Sequence, residues 1–266
     1  MKSVFFKSLL VMAVVLTSVL AQFAQPETKD APGKVFVGEM GKYEARFSKF
    51  ISFSVAELTL TASLSPDGSD LIISGEAVSK GTLIKIARFS FLQQYSSTID
   101  LKDFKILRST KHDVQKERVR DSEAIFDYGQ KRVTYVETDP KDPTRPPRRI
   151  ASDIDDPMND IASGIFAMRL LPLAVGKRFE LPISDSGVVY RIPIAVTRRE
   201  LLKTAIGKVW CVRVEPEVFG PGRLIEQEGK LVIWVTDDDR RIPVKAQINA
   251  SIGKVEIKIK EYKKTP

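Results

Sequence analysis

The sequence predicts a mostly β fold: a large curved antiparallel sheet, an open barrel or clam-like sandwich, with one or two short amphipathic helices. Three observations predict it. Apolar and polar residues alternate with period two along most of the chain, turn residues punctuate that alternation at short intervals, and one later stretch has the 3.6-residue spacing of a capped helix. The 266 residues are 43% hydrophobic and 29% charged, an ordinary globular balance that excludes a disordered or fibrous chain. One His and one Cys leave no intrachain disulfide framework and no Cys-rich zinc module.

Residues 1–21 have the form of a secretory signal peptide. Lys2 and Lys7 open it, an apolar run covers residues 8–20, and Val19-Leu20-Ala21 places short side chains before a cleavage point at Gln22. A spanning helix needs ~20 apolar residues, so an uncleaved anchor is the lesser reading, and no Cys follows to take a lipid. The expected mature protein is exported, to the periplasm or beyond. Its net charge falls from +8 to +6 when Lys2 and Lys7 are removed. Such a balance allows peripheral contact with an anionic membrane surface, whereas export separates the chain from nucleic acid.

Residues 22–33 read as a flexible lead-in, residues 34–262 as a single β-rich domain and residues 263–266 as a tail. Ala45, Phe47, Ile51, Phe53 and Val55 keep odd parity, then Leu58, Leu60, Ala62 and Leu64 keep even parity, which predicts a bulge near Ala56-Glu57. Pro66, Asp67 and Gly68 make a turn, and Leu71, Ile73, Gly75 and Ala77 resume the alternation. Within residues 81–95 Leu83, Ile86, Ala87 and Phe91 favour a short helix, the alternative being alternation through Ile84, Ile86, Arg88 and Ser90. Strands follow over residues 99–108, 114–126 and 132–137, the middle one charged enough to lie exposed or near an edge. Residues 138–150, with four prolines, make a surface loop.

Asp156-Pro157 predicts a helix start, since Asp caps well and Pro suits the first helical position. Ile161, Ile165 and Met168 give one apolar stripe, and Pro172 stops it. Beyond lie the strand Val188, Tyr190, Ile192, Ile194 and Val196, then a strand through Trp210, Val212 and Val214. The near-continuous apolar run 231–236 suggests a strand covered on both faces. Asp237-Asp238-Asp239 turns the chain into Val244, Ala246, Ile248, Ala250 and Ile252, and a final strand through Val255, Ile257 and Ile259 has one wet face. Cys211 reads as a small buried apolar residue, its alternative being an exposed reactive thiol.

The segment LVIWVTDDDRRIPVKAQI, residues 231–248, resembles the C-terminal signature of a bacterial family, domain of unknown function 3108. Asp160-Ile161-Ala162-Ser163 through Met168-Arg169 resembles the same family's Asp-x-x-Ser…Leu-Arg helix, with Met168 in place of Leu. The resemblance implies an exported β-rich protein and supplies no activity.

Catalytic constellations are missing from the pattern. His112 sits in the polar stretch 109–113 and reads as a surface turn residue, and there is no nucleophile elbow, phosphate-cradling glycine loop or zincin motif. The three adjacent aspartates read as a tight turn whose side chains bond local N–H groups, with Arg240 and Arg241 beside them. No metal, cofactor or catalytic residue is expected. The candidate ligand-contacting residues are Arg169, Trp234, Asp237, Asp238, Arg240 and Arg241. Two functions follow as expectations. One is a non-enzymatic carrier of an apolar or lipid-like ligand in a sheet-lined cavity. The other is a structural module that docks onto another envelope protein.

Overall fold

Turn chemistry divides the chain into short antiparallel strands. At Ser65 to Asp70, Asp67 Oδ1 accepts the Ser65 hydroxyl at 2.6 Å and the Ser69 N–H at 3.2 Å, while Gly68 takes φ +75°. At the Ser186-Gly187 turn both residues have positive φ, 50° and 81°, which matches the right-handed twist of a two-residue hairpin. The computed structural model describes residues 31–49, 51–81, 90–251 and 253–265, and the expected signal peptide lies outside them.

A 3-10 turn, Pro32–Phe36, leads into β1 (Glu39–Ser48), β2 (Ser52–Leu64), β3 (Asp70–Ser79), β4 (Phe91–Asp100), β5 (Ile106–Gln115), β6 (Arg118–Asp127), β7 (Arg132–Thr138) and β8 (Arg148–Asp153). The helix α1 (Ile161–Leu170) follows. The chain returns through β9 (Arg178–Asp185), β10 (Val188–Thr204), β11 (Gly207–Pro216), β12 (Gly229–Thr236), β13 (Pro243–Ala250) and β14 (Gly253–Lys264). All fourteen strands belong to one sheet, ordered β8-β7-β6-β5-β4-β3-β2-β1-β14-β13-β12-β11-β10-β9. Two antiparallel meanders are therefore joined by their chain-terminal strands, β1 and β14, and the sheet is left open between β8 and β9.

The two free edges approach one another. Ser152 Oγ on β8 donates to the Gly187 carbonyl at 2.7 Å, and a Cβ on Gly187 would stand 2.6 Å from Tyr135 Cβ, so only glycine fits there. Inside the curl, α1 packs on β3, β4 and β9, and it shares one core with Leu71, Ile73 and Ile99 of the first meander and Ile192, Ile194, Val212 and Val214 of the second. Phe36 meets Phe104 and Phe166 edge-on at 5.6 and 5.2 Å. Each such buried side chain contributes roughly 1.5–3 kcal/mol. A second cluster joins Tyr43, Ile259, Ile242 and Val244 to Cys211, Val232 and Trp234, with Leu202, Ile206 and Val209 packed against it.

The expected mostly β, curved antiparallel sheet is the observed one, and several elements shift within it. The bulge falls at Val55, skipped where Ala45 pairs Ala56 and Arg46 pairs Ser54. The expected helix within 81–95 is corrected in part: residues 82–89 lie outside the described set, and Phe91 to Tyr95 begin β4. The expected strand 99–108 contains a turn at Leu101 to Lys105, and 114–126 contains another at Lys116-Glu117. Both turns use non-glycine residues in left-handed geometry, Phe104 at φ 50° and Lys116 at 55°. His112 is a strand residue, not a turn residue. It sits in β5, with Nδ1 bonded to Asp121 on β6.

The helix starts four residues later than Asp156 suggests. Asp160 caps it, accepting the Ser163 N–H at 2.7 Å while its own N–H donates to Ser163 Oγ at 2.9 Å. Lying inside the curl, it is buried nearly all round rather than along one stripe: Ala162, Ser163, Gly164, Phe166, Ala167, Met168 and Arg169 are buried, whereas Ile161 is exposed. A Cβ on Gly164 would come within 2.6 Å of Ile183 Cδ1, so the helix lies tight against β9. At the ends, Pro32 and Gly33 belong to the 3-10 turn, and Lys263 and Lys264 extend β14 against Met40 and Glu39. β8 takes the last residues of the expected proline-rich loop. The apolar run in β12 is covered on both sides as expected, with Val232 and Trp234 in the second cluster and Val235 in the first. Ile252 lies outside the described residues.

Candidate functional site

Strand register lays the inner face of the first meander out in cross-strand rows. One row reads Ile73, Ser97, Ser109, Ala124, Tyr135 and Ile150 from β3 to β8. The next reads Gly75, Tyr95, Lys111, Ser122, Glu137 and Arg148, and beyond it Gln93 faces Asp113 and Arg120. Leu71, Ile99, Ile106 and Val133, deeper in, are wholly apolar and buried. The interior thus passes from hydrocarbon through hydroxyls to charge toward one mouth of the open barrel.

That mouth is held by hydrogen bonds. Gln93 Nε2 donates to Asp113 Oδ1 at 2.9 Å, and Arg118 pairs with the same carboxylate. Burial opposes ionisation of Asp113, but the bonds from Gln93 and Gln115, with the charges of Lys111 and Arg118, outweigh it and hold the carboxyl below its usual range. Arg120 pairs with Asp139, and Tyr135 Oη donates to Glu137 Oε2 at 3.0 Å.

Between this face, the start of α1 and the β9–β10 turn lies a cleft of about 40 Å³, lined among others by Tyr95, Lys111, Ser122, Asp160, Ser184 and Asp185. Lys111 Nζ stands 5.1 Å from the Tyr95 ring centroid. Burial disfavours its ammonium, yet Tyr95, Asp113 and Asp185 more than compensate and raise its pKa. The Asp160 carboxylate is committed to the helix cap and to the Ser97 hydroxyl. The Ser184 hydroxyl, on a residue only 4% exposed, has no partner. The cleft therefore offers a cation, hydroxyls and an aromatic face, with capacity left over for hydrogen bonding.

Three sequence-derived candidates converge elsewhere, at the C-terminal end of α1. Arg169, 4% exposed, forms an ion pair with Glu39 through Nη1–Oε2 at 2.8 Å and Nη2–Oε1 at 3.0 Å, and Nη2 also donates to the Arg240 carbonyl at 2.7 Å. Its guanidinium lies over Phe36 at 4.6 Å and Phe166 at 5.2 Å. Arg241 reaches back to the Arg169 carbonyl at 2.8 Å and to that of Leu171, satisfying groups that a helix end leaves open. Thr236 Oγ1 donates to Asp238 Oδ1 at 2.7 Å and accepts the Ile242 N–H at 2.8 Å, which fixes the β12–β13 turn. Burial and the nearby Glu39 push the phenols of Tyr43 and Tyr262 up to about 12, against the lowering charge of Arg169. The neighbouring hollow holds only about 20 Å³. These residues clamp the helix to the sheet.

Asp237 and Trp234 stand apart from that clamp. Asp237 pairs with Arg199 on β10, and Trp234 is packed in the second cluster beneath Lys245, whose Nζ is 4.6 Å from the ring. The polar cleft was missed by pattern reading. Its signal was present in β4 and β5, where Gln93, Tyr95, Ser97, Ser109, Lys111 and Asp113 put polar groups on the face that should be greasy.

The family model described as "Protein of unknown function (DUF3108)" matches residues 42–260. No curated protein matches the sequence. The fold is similar to that of a crystal structure described as a β-barrel-like protein of domain of unknown function DUF1849 from Brucella abortus. The likeness has a TM-score of 0.59 at 10% identity and covers 87% of this chain and 99% of that one. A DUF1089 family protein from Pseudomonas aeruginosa matches at TM-score 0.37 and 13% identity, covering 74% of this chain and 92% of that one.

Proposed function

Because the chain belongs to the DUF3108 family, whose function is unknown, we propose from its chemistry that it is an exported cell-envelope protein that binds rather than catalyses, and that the cleft at the start of α1 receives the polar end of its ligand. One observation carries this reading: Lys111, which forms no carboxylate ion pair among the described residues, and the unpartnered Ser184 hydroxyl face the same hollow. Buried polar groups are ordinarily satisfied, and water or a ligand supplies what the chain does not. A lipid tail lying wholly beneath the sheet is supported less. Ligand pockets commonly run to ~300–1,000 Å³, whereas the hollows beside the two ends of α1 are about 40 and 20 Å³. Such a tail would have to displace the helix.

Native mass spectrometry of protein purified from the envelope tests the proposal. The expected result is a small polar adduct on the wild type that is lost from Lys111→Met and from Ser184→Val. An acyl-lipid mass insensitive to both substitutions, or bare protein in repeated preparations, would count against it. Recovery of the chain from the cytoplasm in cell fractionation would remove the export half of the reading.

A docking module for another envelope component is the second reading, and the filled interior favours it. The core of the curl is occupied by α1 and the residues around it, while Leu201 and Trp210 on the outer half of the β10–β11 hairpin remain 41% and 47% exposed.

A further inference from the structure

We propose that the outer end of the β10–β11 hairpin is a docking surface for a lipid bilayer that carries anionic headgroups. Register places Leu201 directly opposite Trp210 and Lys203 directly opposite Lys208. Because side chains alternate across a strand, these four share one face, and all four are exposed. The other face of the hairpin is turned inward. Leu202, Ile206 and Val209 pack on the second core cluster, so the exposed face is presented on a fixed support. The turn between the strands is tied by Thr204 Oγ1, which donates to the Gly207 carbonyl at 2.8 Å and accepts the Ile206 N–H at 3.2 Å.

Two features of this face are unfavourable in water, and the same surroundings would relieve both. Like charges directly opposite one another on a sheet repel. Lys203 and Lys208 form no ion pair among the described residues, although their neighbours do: Arg198 is within 3.6 Å of Glu200, and Arg199 pairs with Asp237. Beside the two ammonium groups, a leucine and a tryptophan leave apolar surface in solvent. Trp210 is held in place by Arg199, whose guanidinium lies 4.3 Å from its ring centroid. An indole with an aliphatic neighbour and flanking lysines suits the headgroup boundary of a bilayer. There the ring partitions to the interface, the lysine stems lie along apolar surface, and the ammonium groups reach phosphate. A layer of many phosphates neutralises both lysines at once. The surface is independent of the polar cleft, which lies at the mouth lined by β4 to β7.

Vesicle binding decides the matter. Protein beginning at Gln22, free of the apolar run that would itself enter a bilayer, is mixed with vesicles of phosphatidylglycerol and phosphatidylcholine in equal parts, or of phosphatidylcholine alone, and followed by co-sedimentation and tryptophan emission. Trp234 is buried and Trp210 exposed, so a blue shift on binding reports Trp210. The expected result is binding with a blue shift on the anionic vesicles only, weakened by added salt. Lys203→Glu with Lys208→Glu should lower affinity about tenfold or more. Trp210→Phe should abolish the shift while sedimentation persists, and Lys111→Met should bind like wild type. Equal binding to neutral vesicles, or anionic binding indifferent to the double lysine variant, would overturn the proposal. So would a dimer broken by Trp210→Ala in protein that ignores vesicles, which would assign the face to a second copy of the chain.

Discussion

Arg169 and Glu39, 130 residues apart in sequence, form a buried two-pronged ion pair that ties the last turn of α1 to the first residue of β1. A buried pair of this kind is costly to break from one side, because the remaining charge has no water to turn to. Arg169→Met should therefore cost about 3–5 kcal/mol of unfolding free energy. Adding Glu39→Gln to the same chain should return part of that loss. Urea unfolding of the wild type, both single variants and the double variant measures the cycle, and strict additivity of the two losses would contradict the coupling.

The two arginines that follow the aspartate turn should differ sharply. Arg241 donates to two carbonyls at the end of α1, so Arg241→Ala should cost about 1.5–3 kcal/mol, the range for hydrogen bonds to a charged group. Arg240 acts on the helix through its backbone carbonyl, while its side chain reaches only the exposed Asp238. Arg240→Ala should stay within ~0.5 kcal/mol of wild type. Parallel thermal melts of the two variants give the comparison.

Alkali should unfold the protein through its tyrosines. Burial drives the phenols of Tyr43, Tyr128 and Tyr262 from 10.0 up to about 12, the first-named cause in each case. The sign follows from linkage: an acid group whose folded pKa is raised contributes stability that is whole below the unfolded pKa and is lost as pH climbs to the folded one. Stability should hold to about pH 10 and fall between 10 and 12, with phenolate absorbance rising together with loss of the strand circular dichroism signal. Ionisation of all six tyrosines while the strand signal is still intact would contradict this.

At the acid end the outward-facing network around Glu256 works in the opposite sense. Burial alone would raise its carboxyl, but hydrogen bonds and charge from Lys258 and Lys245 bring it down to about 2. Its contribution is present above the unfolded value of 4.5 and disappears as pH falls through about 2. Glu256→Gln should flatten the acid limb of stability against pH over that window, as read by denaturant midpoints.

Cys211 is fully buried, and burial together with Asp238, Glu200 and Asp237 raises its thiol to about 11. A thiol in that state is a poor nucleophile. Aromatic disulfide reagents should leave it unmodified in native protein at neutral pH and label it completely in urea. Labelling of native protein at the urea rate would place the thiol in solvent.

The β architecture was legible because alternation survives wherever one face meets the core, as in Val188 to Val196. The hairpins at Leu101–Lys105 and Lys116-Glu117 were not, because the residues bent there to positive φ are Phe104 and Lys116, without the glycine that advertises such a bend. Asp156-Pro157 imitated a helix start convincingly. The true cap, Asp160 with Ser163, carries Ser rather than Glu at its third position and so made a weaker signature. Of the candidate residues, Arg169, Arg240 and Arg241 do meet, as a clamp on the helix, while Asp237 and Trp234 serve other contacts. The polar cleft could not be assembled from local pattern, since Lys111 and Ser184 lie 73 residues apart and meet only across the curl of the sheet.

The pairing of β1 with β14 makes the midline of the sheet its last-sewn seam. A chain that emerges amino end first holds one edge of β1 bare until β14 arrives, a long interval in which another polypeptide could zip onto it. A molecule clipped after β13 would keep every hairpin on either side but β13–β14 itself, and would lose the stitch between the two meanders. The stretch Gly253–Lys264, a strand with one wet face, is thus the keystone of the whole span.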